Sequence, residues 1–190
     1  MNTKHADRKP AVFLDRDGVL TEEKGYICSL KELHIFPYAR ECIRQIREKG
    51  YYAIVITNQS GVARGLFTES CLIEMNDYLK RILDVDAVYY CPHYLEGKVK
   101  QYAVACSCRK PGTGMIEKAC KDFRIDMENS FLAGDRASDI IAGKRAGIRT
   151  VLLESGYGTA GLEEDVEPDY RLNDLRDIIR ILEESGGRQI

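Results

Sequence analysis

Ala11–Leu14 (AVFL) is an unbroken apolar run that stops at Asp15-Arg16-Asp17-Gly18. Without polar alternation, both faces of such a strand must be covered, as in a parallel sheet layered by helices. The pattern recurs along the chain. Tyr51–Thr57 (YYAIVIT) stops at Asn58-Gln59-Ser60-Gly61, and Ser130–Ala133 stops at Gly134-Asp135. Ala87–Tyr90 and Thr150–Leu153 are shorter strands of the same type.

Helical periodicity fills the gaps. Pro37 opens a helix whose Ala39, Cys42, Ile43 and Ile46 fall on one face, and Gly50 closes it. Thr68 is the predicted cap of a helix reaching about Leu83, with Leu72, Met75 and Leu79 facing inward. Gly114–Phe123 and Ser138–Ala146 are helical, and Asn173 is the predicted cap of a last helix ending near Glu184. Strands alternating with helices predict a doubly wound α/β domain, a parallel sheet with helices on both faces. The 190 residues suit a single domain spanning 1–190. In such sheets the chemistry gathers at the carboxyl ends of the strands.

Composition narrows the classes. The 28 Lys+Arg against 30 Asp+Glu leave a net charge of −2, too little positive charge for general nucleic-acid binding. At 44% hydrophobic and 31% charged, the chain has the make-up of a soluble globular protein. No apolar run approaches the ~20 residues of a membrane span. The first run ends at Asp15, too short for a signal-peptide core of about 7–15 residues, so a cytoplasmic protein is expected.

The strand ends bring Asp15, Asp17 and Asp135 towards one edge. Buried together, carboxylates repel one another and raise each other's pKa unless a cation holds them, which predicts a hard divalent metal, Mg²⁺. Thr57-Asn58-Gln59-Ser60-Gly61 offers hydroxyl, amide and backbone donors to an anion such as phosphate. Arg109-Lys110 adds two cations. Each feature has a plainer reading: an Asp that caps a helix, a solvated basic pair, and for Asp139 an acid in a helix's first turn. Together they point to phosphoryl transfer, with an Asp carboxylate as nucleophile. A receiver domain uses the same residue types, but its Lys follows the last strand, whereas Lys110 precedes Asp135.

Seven cysteines, an odd number, disfavour a complete disulfide framework. Cys42, Cys71 and Cys120 sit at apolar helical positions, and Cys28 has no evident partner. Cys91-Pro92-His93 and Cys106-Ser107-Cys108 offer three thiolates and an imidazole, a set suited to tetrahedral Zn²⁺. The gap within each pair is shorter than in zinc fingers, and unrelated thiols beside a surface histidine are the alternative. Four protein ligands leave no open position, so the zinc would be structural. Cys108 adjoins Arg109, so fixing its sulfur would also fix Arg109-Lys110. His5 and His34 read as ordinary surface or capping residues.

Asp15-Arg16-Asp17-Gly18-Val19, Thr57–Gly61, Arg109-Lys110-Pro111 and Gly134-Asp135 with Asp139 resemble the four ordered motifs of the haloacid-dehalogenase-like phosphatases. With the Cys/His pairs, Thr57–Gly65 (TNQSGVARG) and Gly25-Tyr26, the chain resembles the D,D-heptose 1,7-bisphosphate 7-phosphatase family from about Pro10 to Leu153. The resemblance implies that Asp15 attacks phosphorus, while Asp17 protonates the leaving sugar oxygen and then activates water. Thr57 and Lys110 would hold phosphoryl oxygens, with Asn58 assisting. Mg²⁺ would rest on Asp15, a backbone carbonyl at Asp17, and Asp135. Substrate contacts would fall on Glu23, Lys24, Gly25, Tyr26, Thr57, Asn58, Gln59, Ser60, Arg109, Lys110 and Arg136. The family further implies no large cap domain, a zinc-bound loop over 91–109, a phosphorylated sugar as partner, and a monomer.

Three positions depart from the family pattern: Asn is usual where Thr21 stands, Asp where Glu23 stands, and Lys is common where Arg136 stands. All three are expected to border the substrate rather than the chemistry. Histidinol-phosphate phosphatase is the alternative, but it typically shows Asp-Gly where this chain has Ser60-Gly61. Val62-Ala63-Arg64-Gly65 is heptose-type. A reading from another class, a catalytically silent zinc-stabilised binding protein, is disfavoured because both Asp15 and Asp17 are present.

Overall fold

A computed structural model describes residues 8–155 and 166–186, so His5 lies outside the described residues. In chain order the elements are β1 (Lys9–Leu14), α1 (Ala39–Glu48), β2 (Tyr52–Asn58), α2 (Glu69–Leu83), β3 (Ala87–Cys91), α3 (Gly114–Asp122), β4 (Ile125–Gly134), α4 (Ala137–Ala146), β5 (Arg149–Leu153), β6 (Tyr170–Leu172) and α5 (Ile178–Gly186). The strands form one sheet in the order β3-β2-β1-β4-β5-β6, with every pairing parallel. The chain winds outward from β1 through β2 to β3, then starts again at β4 on the other side of β1. The winding reverses between β1 and β4, where sheets of this kind open a crevice at the strands' carboxyl ends.

Alternate residues of one strand enter different cores. Val12 and Leu14 of β1 pack with Ile43 and Ile46 of α1, Leu72 and Met75 of α2, and Ile178 of α5. Ala11 and Phe13 pack with Met115 and Ile116 of α3 and Ala142 of α4. All four β1 residues are fully buried, which accounts for the missing polar alternation and bears out the doubly wound α/β expectation.

The helix signals behave as read in most places. Thr68 Oγ1 accepts a hydrogen bond from Cys71 N at 3.2 Å and caps α2. Cys42 is buried, while Cys71 and Cys120 are half-buried. At the C-terminal end the cap is Asp174, not Asn173. Asp174 Oδ1 accepts from Arg176 N at 2.8 Å and opens a short 3₁₀ turn, Leu175–Asp177, ahead of α5. The displacement follows from β6, which occupies the chain up to Leu172 and which periodicity missed because three residues carry no readable pattern. β4 also begins earlier than expected, at Ile125, because Asp126, Glu128 and Asn129 interrupt its apolar run. Among the described residues no helix is long and apolar enough to cross a membrane.

A part-buried polar contact just ahead of β6 adds to the packing of Tyr170 and Leu172 against the core. Asp169 Oδ2 accepts from Thr150 N at 2.7 Å and from Thr150 Oγ1 at 2.8 Å. Thr150 is fully buried, and a methyl in place of its hydroxyl would leave the Asp169 carboxylate short of a donor. Thr150→Val is expected to lower unfolding stability by about 1–3 kcal/mol, read as a lower urea midpoint with an unchanged slope.

Candidate active site

The carboxyl ends of β1, β2 and β4, together with the segment before α3, surround a cleft of about 280 Å³. Asp15, Asp17, Glu23, Gly25, Tyr26, Thr57, Asn58, Gln59, Ser60, Arg109, Lys110 and Arg136 all line it. Gly61, the end of the anion-binding stretch, lines it too, as do Ile27 and Ser138, which nothing in their residue types singled out. Lys24 does not line it. Its ammonium lies 2.8 Å from Glu22 Oε2 and 3.2 Å from His34 Nδ1, because Glu23 and Gly25 face the cleft and the residue between them faces away.

The floor of the cleft is ionic. Asp15 is 6% exposed and Lys110 3%, yet both belong to the lining. Lys110 Nζ lies 2.9 Å from Asp15 Oδ1 and 2.6 Å from Asp139 Oδ1, and it donates to the Ile56 carbonyl at 2.8 Å. Burial pulls the Lys110 ammonium down, but Asp139 and Asp15 outweigh it and hold its pKa above the usual lysine range. Burial pushes Asp15 up to about 7; Lys110 opposes the rise, and Asp139, Asp135 and Asp17 add to it. Asp139 therefore has two functions. It sits in the first turn of α4, where its Oδ2 accepts from Arg136 N at 3.2 Å, and it also anchors Lys110.

One oxygen each of Asp15, Asp135 and Asp139 lies within 4.8 Å of the others, and all three residues are buried. Three clustered carboxylates, with Asp15 and Asp139 against the Lys110 ammonium, form a hard, negatively charged donor set that fits a small divalent cation. Asp139, rather than the Asp17 carboxylate, completes this group. Gly18 makes the approach of Asp135 feasible: a Cβ there would meet Asp135 Oδ2 at 2.2 Å, and its φ of +87° is one that side chains rarely adopt.

Asp17 faces a different environment. Arg16 Nε and Nη2 grip its two oxygens at 2.9 Å each, Gln59 Nε2 donates at 2.8 Å and Thr21 Oγ1 at 3.0 Å. Burial pushes its pKa up, but the Arg16 charge and these hydrogen bonds prevail and hold it below the usual carboxylate range. Arg16 is fully buried and also donates to Asn76 Oδ1 at 3.1 Å. Its place between two acids was the only hint of that part. Thr21, expected at the substrate, is instead fully buried, donates to Asp17 and is not among the residues that line the cleft. The other two departures from the family pattern are partners of each other, since Arg136 Nη2 lies 3.0 Å from Glu23 Oε2.

Two amides expected at the substrate also serve as internal brackets. Asn58 donates to the Lys110 carbonyl and accepts from Lys110 N, both at 3.0 Å. Gln59 Nε2 bridges Asp17 and Thr57 Oγ1, each at 2.8 Å. Beside the cleft, the cysteine loop closes on itself. Cys108 Sγ lies 2.9 Å from Cys91 Sγ, 3.3 Å from Cys106 Sγ and 3.3 Å from His93 Nδ1, and Cys91 Sγ lies 3.5 Å from Cys106 Sγ. A tetrahedral ion with bonds of about 2.3 Å to sulfur needs ligand atoms spaced on this scale, and the four side chains form a group able to hold a metal.

A D-glycero-beta-D-manno-heptose-1,7-bisphosphate 7-phosphatase of Haemophilus ducreyi is 38% identical over 178 residues, covering 90% of this chain and 97% of its own. The chain belongs to the heptose-bisphosphate phosphatase family. A D-glycero-alpha-D-manno-heptose-1,7-bisphosphate 7-phosphatase of Photorhabdus laumondii is 40% identical, with 90% of this chain and 95% of its own covered. The HAD-hydrolase-like family model matches residues 107–178. A solved D,D-heptose 1,7-bisphosphate phosphatase of B. bronchiseptica, complexed with magnesium and phosphate, superimposes with a TM-score of 0.78 at 28% identity, covering 92% of this chain and 98% of that one.

The raised pKa of Asp15 has a consequence for stability. Its folded value near 7 exceeds its ordinary 3.8, so its stabilising contribution is complete below 3.8 and is lost as pH rises to about 7. Thermal melts of metal-depleted protein are expected to fall over that window, and Asp15→Asn is expected to flatten the fall. Adding a divalent cation is expected to raise the melting point more above pH 7 than below it.

Proposed function

We propose that this chain is a Mg²⁺-dependent phosphatase that removes the 7-phosphate of D-glycero-D-manno-heptose 1,7-bisphosphate through an aspartyl-phosphate on Asp15. The observation that carries the reading is the pair of unlike carboxylates at one cleft: Asp15 beside Lys110, and Asp17 gripped by Arg16. The two residues of one motif meet opposed environments, and bound charge would adapt them to the two roles. A divalent cation beside Asp15 would favour its ionised form, and a phosphate ester beside Asp17 its neutral form.

In the first half-reaction an Asp15 oxygen attacks phosphorus and the bond from phosphorus to the sugar oxygen breaks. Asp17 supplies the proton to that oxygen. Its low pKa disfavours the protonated form, and a phosphate ester nearby would raise it, since a like charge favours the neutral acid. In the second half, water attacks the phosphorus, Asp17 takes its proton, and inorganic phosphate leaves Asp15. Lys110 would neutralise charge beside Asp15, while Thr57 and the donors of Asn58–Gly61 would hold phosphoryl oxygens. Mg²⁺ would rest on Asp15, Asp135 and the Asp17 carbonyl, with Asp139 nearby, and would offset charge on the transferring group. Glu23, Gly25, Tyr26, Arg109 and Arg136 would bound the sugar.

Zn²⁺ on Cys91, His93, Cys106 and Cys108 would be structural and would hold the 91–109 loop, and with it Arg109 and Lys110. The same reading makes residues 1–190 a single phosphatase domain, monomeric and cytoplasmic. Phosphate release from both anomers of heptose 1,7-bisphosphate, fructose 1,6-bisphosphate and histidinol phosphate tests the substrate. Turnover of a heptose bisphosphate is expected to lead, and a lead for histidinol phosphate would replace this reading.

Asp15→Asn is expected to abolish turnover with the fold intact, and Asp17→Asn to slow it by about 10²–10⁴-fold. Near-normal turnover by Asp15→Asn, with deamidation excluded by mass spectrometry, would remove the nucleophile from the mechanism. Cys106→Ser is expected to lose a bound zinc that survives Mg²⁺ depletion in the parent, and to weaken kcat/KM as the loop loosens. An ordered, zinc-free variant with full kcat/KM would make the metal incidental.

A further inference from the structure

Helix α2 turns one stripe of side chains inward: Leu72, Met75, Asn76, Leu79 and Leu83, all buried. Asn76 is the polar member of an otherwise apolar stripe, and it is only 4% exposed. Its Nδ2 is buried without a hydrogen-bond partner among the described residues, so the amide carries a desolvation cost that a leucine there would not. Packing alone does not account for an asparagine at this position. What the amide does hold is Arg16, whose Nη1 donates to Asn76 Oδ1 at 3.1 Å across 60 residues of chain.

Arg16 itself points away from the substrate. It is fully buried and, unlike Asp15 and Asp17 on either side of it, is not among the residues that line the cleft. Its guanidinium therefore serves Asp17 rather than a ligand. Three contacts hold the Asp17 carboxylate. Thr21 Oγ1 donates to Oδ1 at 3.0 Å and Gln59 Nε2 to Oδ2 at 2.8 Å, one oxygen each. The Arg16 fork spans both oxygens, with Nε on Oδ1 and Nη2 on Oδ2, and so sets the plane of the carboxyl group. A guanidinium is rigid and planar, so a partner on Nη1 fixes the direction in which its fork faces. Proton transfer depends on that direction, because the acid must lie within hydrogen-bond reach of the leaving oxygen.

We infer that Asn76 is a positioning residue for the reaction: from α2 it fixes the Arg16 guanidinium, whose fork holds the Asp17 carboxyl in the orientation that proton transfer requires. The inference rests on the acid–base role given to Asp17 above. It places one determinant of the rate on a helix that contributes no residue to the cleft lining.

The test is a double-mutant cycle on a heptose 1,7-bisphosphate, with wild type, Asn76→Leu, Asp17→Asn and the double variant, each shown to be folded by circular dichroism. Asn76→Leu keeps the side-chain volume and removes the acceptor. Its kcat is expected to fall about 10–100-fold, within the range of general acid–base help, with KM unchanged to within about twofold. In the Asp17→Asn background the same substitution is expected to cost less than about twofold, because a residue that acts only through Asp17 has nothing left to position. Where Asn76→Leu does not fold, Asn76→Ala also removes the acceptor and carries the same expectation. A folded variant with wild-type kcat would overturn the inference. Equal losses in the two backgrounds would show a merely structural role and overturn it too. Near-normal turnover by Asp17→Asn would instead refute the acid–base reading of Asp17, and this inference with it.

Discussion

Four separate parts of the chain meet at the Lys110 ammonium. Asp15 comes from the end of β1, the Ile56 carbonyl from β2, Asp139 from the first turn of α4, and Lys110 from the segment before α3. A buried ammonium without partners, or buried carboxylates without a cation, would each carry a desolvation penalty that apolar packing cannot repay. Assembling all of them in one place removes most of that penalty and leaves a negative excess. That excess is the basis for a divalent cation at Asp15, Asp135 and Asp139. Asn58 takes both polar groups of the Lys110 peptide, so the lysine stem is held by β2 before its charge is engaged.

Asp15 and Asp17 stand two residues apart and titrate in opposite directions. Asp15 shares one lysine with other carboxylates and rises. Asp17 has Arg16 to itself, with Gln59 and Thr21 as further donors, and falls. Gln59 links this pair to Thr57, so the acid and the hydroxyl at the end of β2 cannot shift independently. Arg16 makes the separation sharp because it is fully buried, where its charge is screened little by solvent.

The cysteine loop extends the same organisation to the rim. Its cluster lies beside the end of β3, and Cys108 leads directly into Arg109 and Lys110. Tyr102, within the loop, donates to Glu69 at the start of α2, as does Tyr90 of β3, at 2.7 and 3.1 Å. The loop is thereby fastened to a helix as well as to its own sulfurs. A polar segment of this length gains few apolar contacts, so cross-links of this kind substitute for a core.

The sheet, its parallel winding and the gathering of polar strand-end residues at one cleft were legible from residue order alone, because a strand buried on both faces must be apolar throughout and Ala11–Leu14 is. The Cys/His set was equally legible, since soft ligands at short spacings have few other uses. The partnerships were not. Asp139 as the anchor of Lys110, Arg16 as the grip on Asp17, Thr21 as its third donor and Arg136 as the mate of Glu23 all join residues whose type suits many roles. Lys24 turned away from the cleft, and β6 and the Asp174 cap went unread, for a related reason. Local pattern records what a segment buries, whereas the partner of a charge is set by which strand ends the winding brings together, and only the tertiary structure determines that.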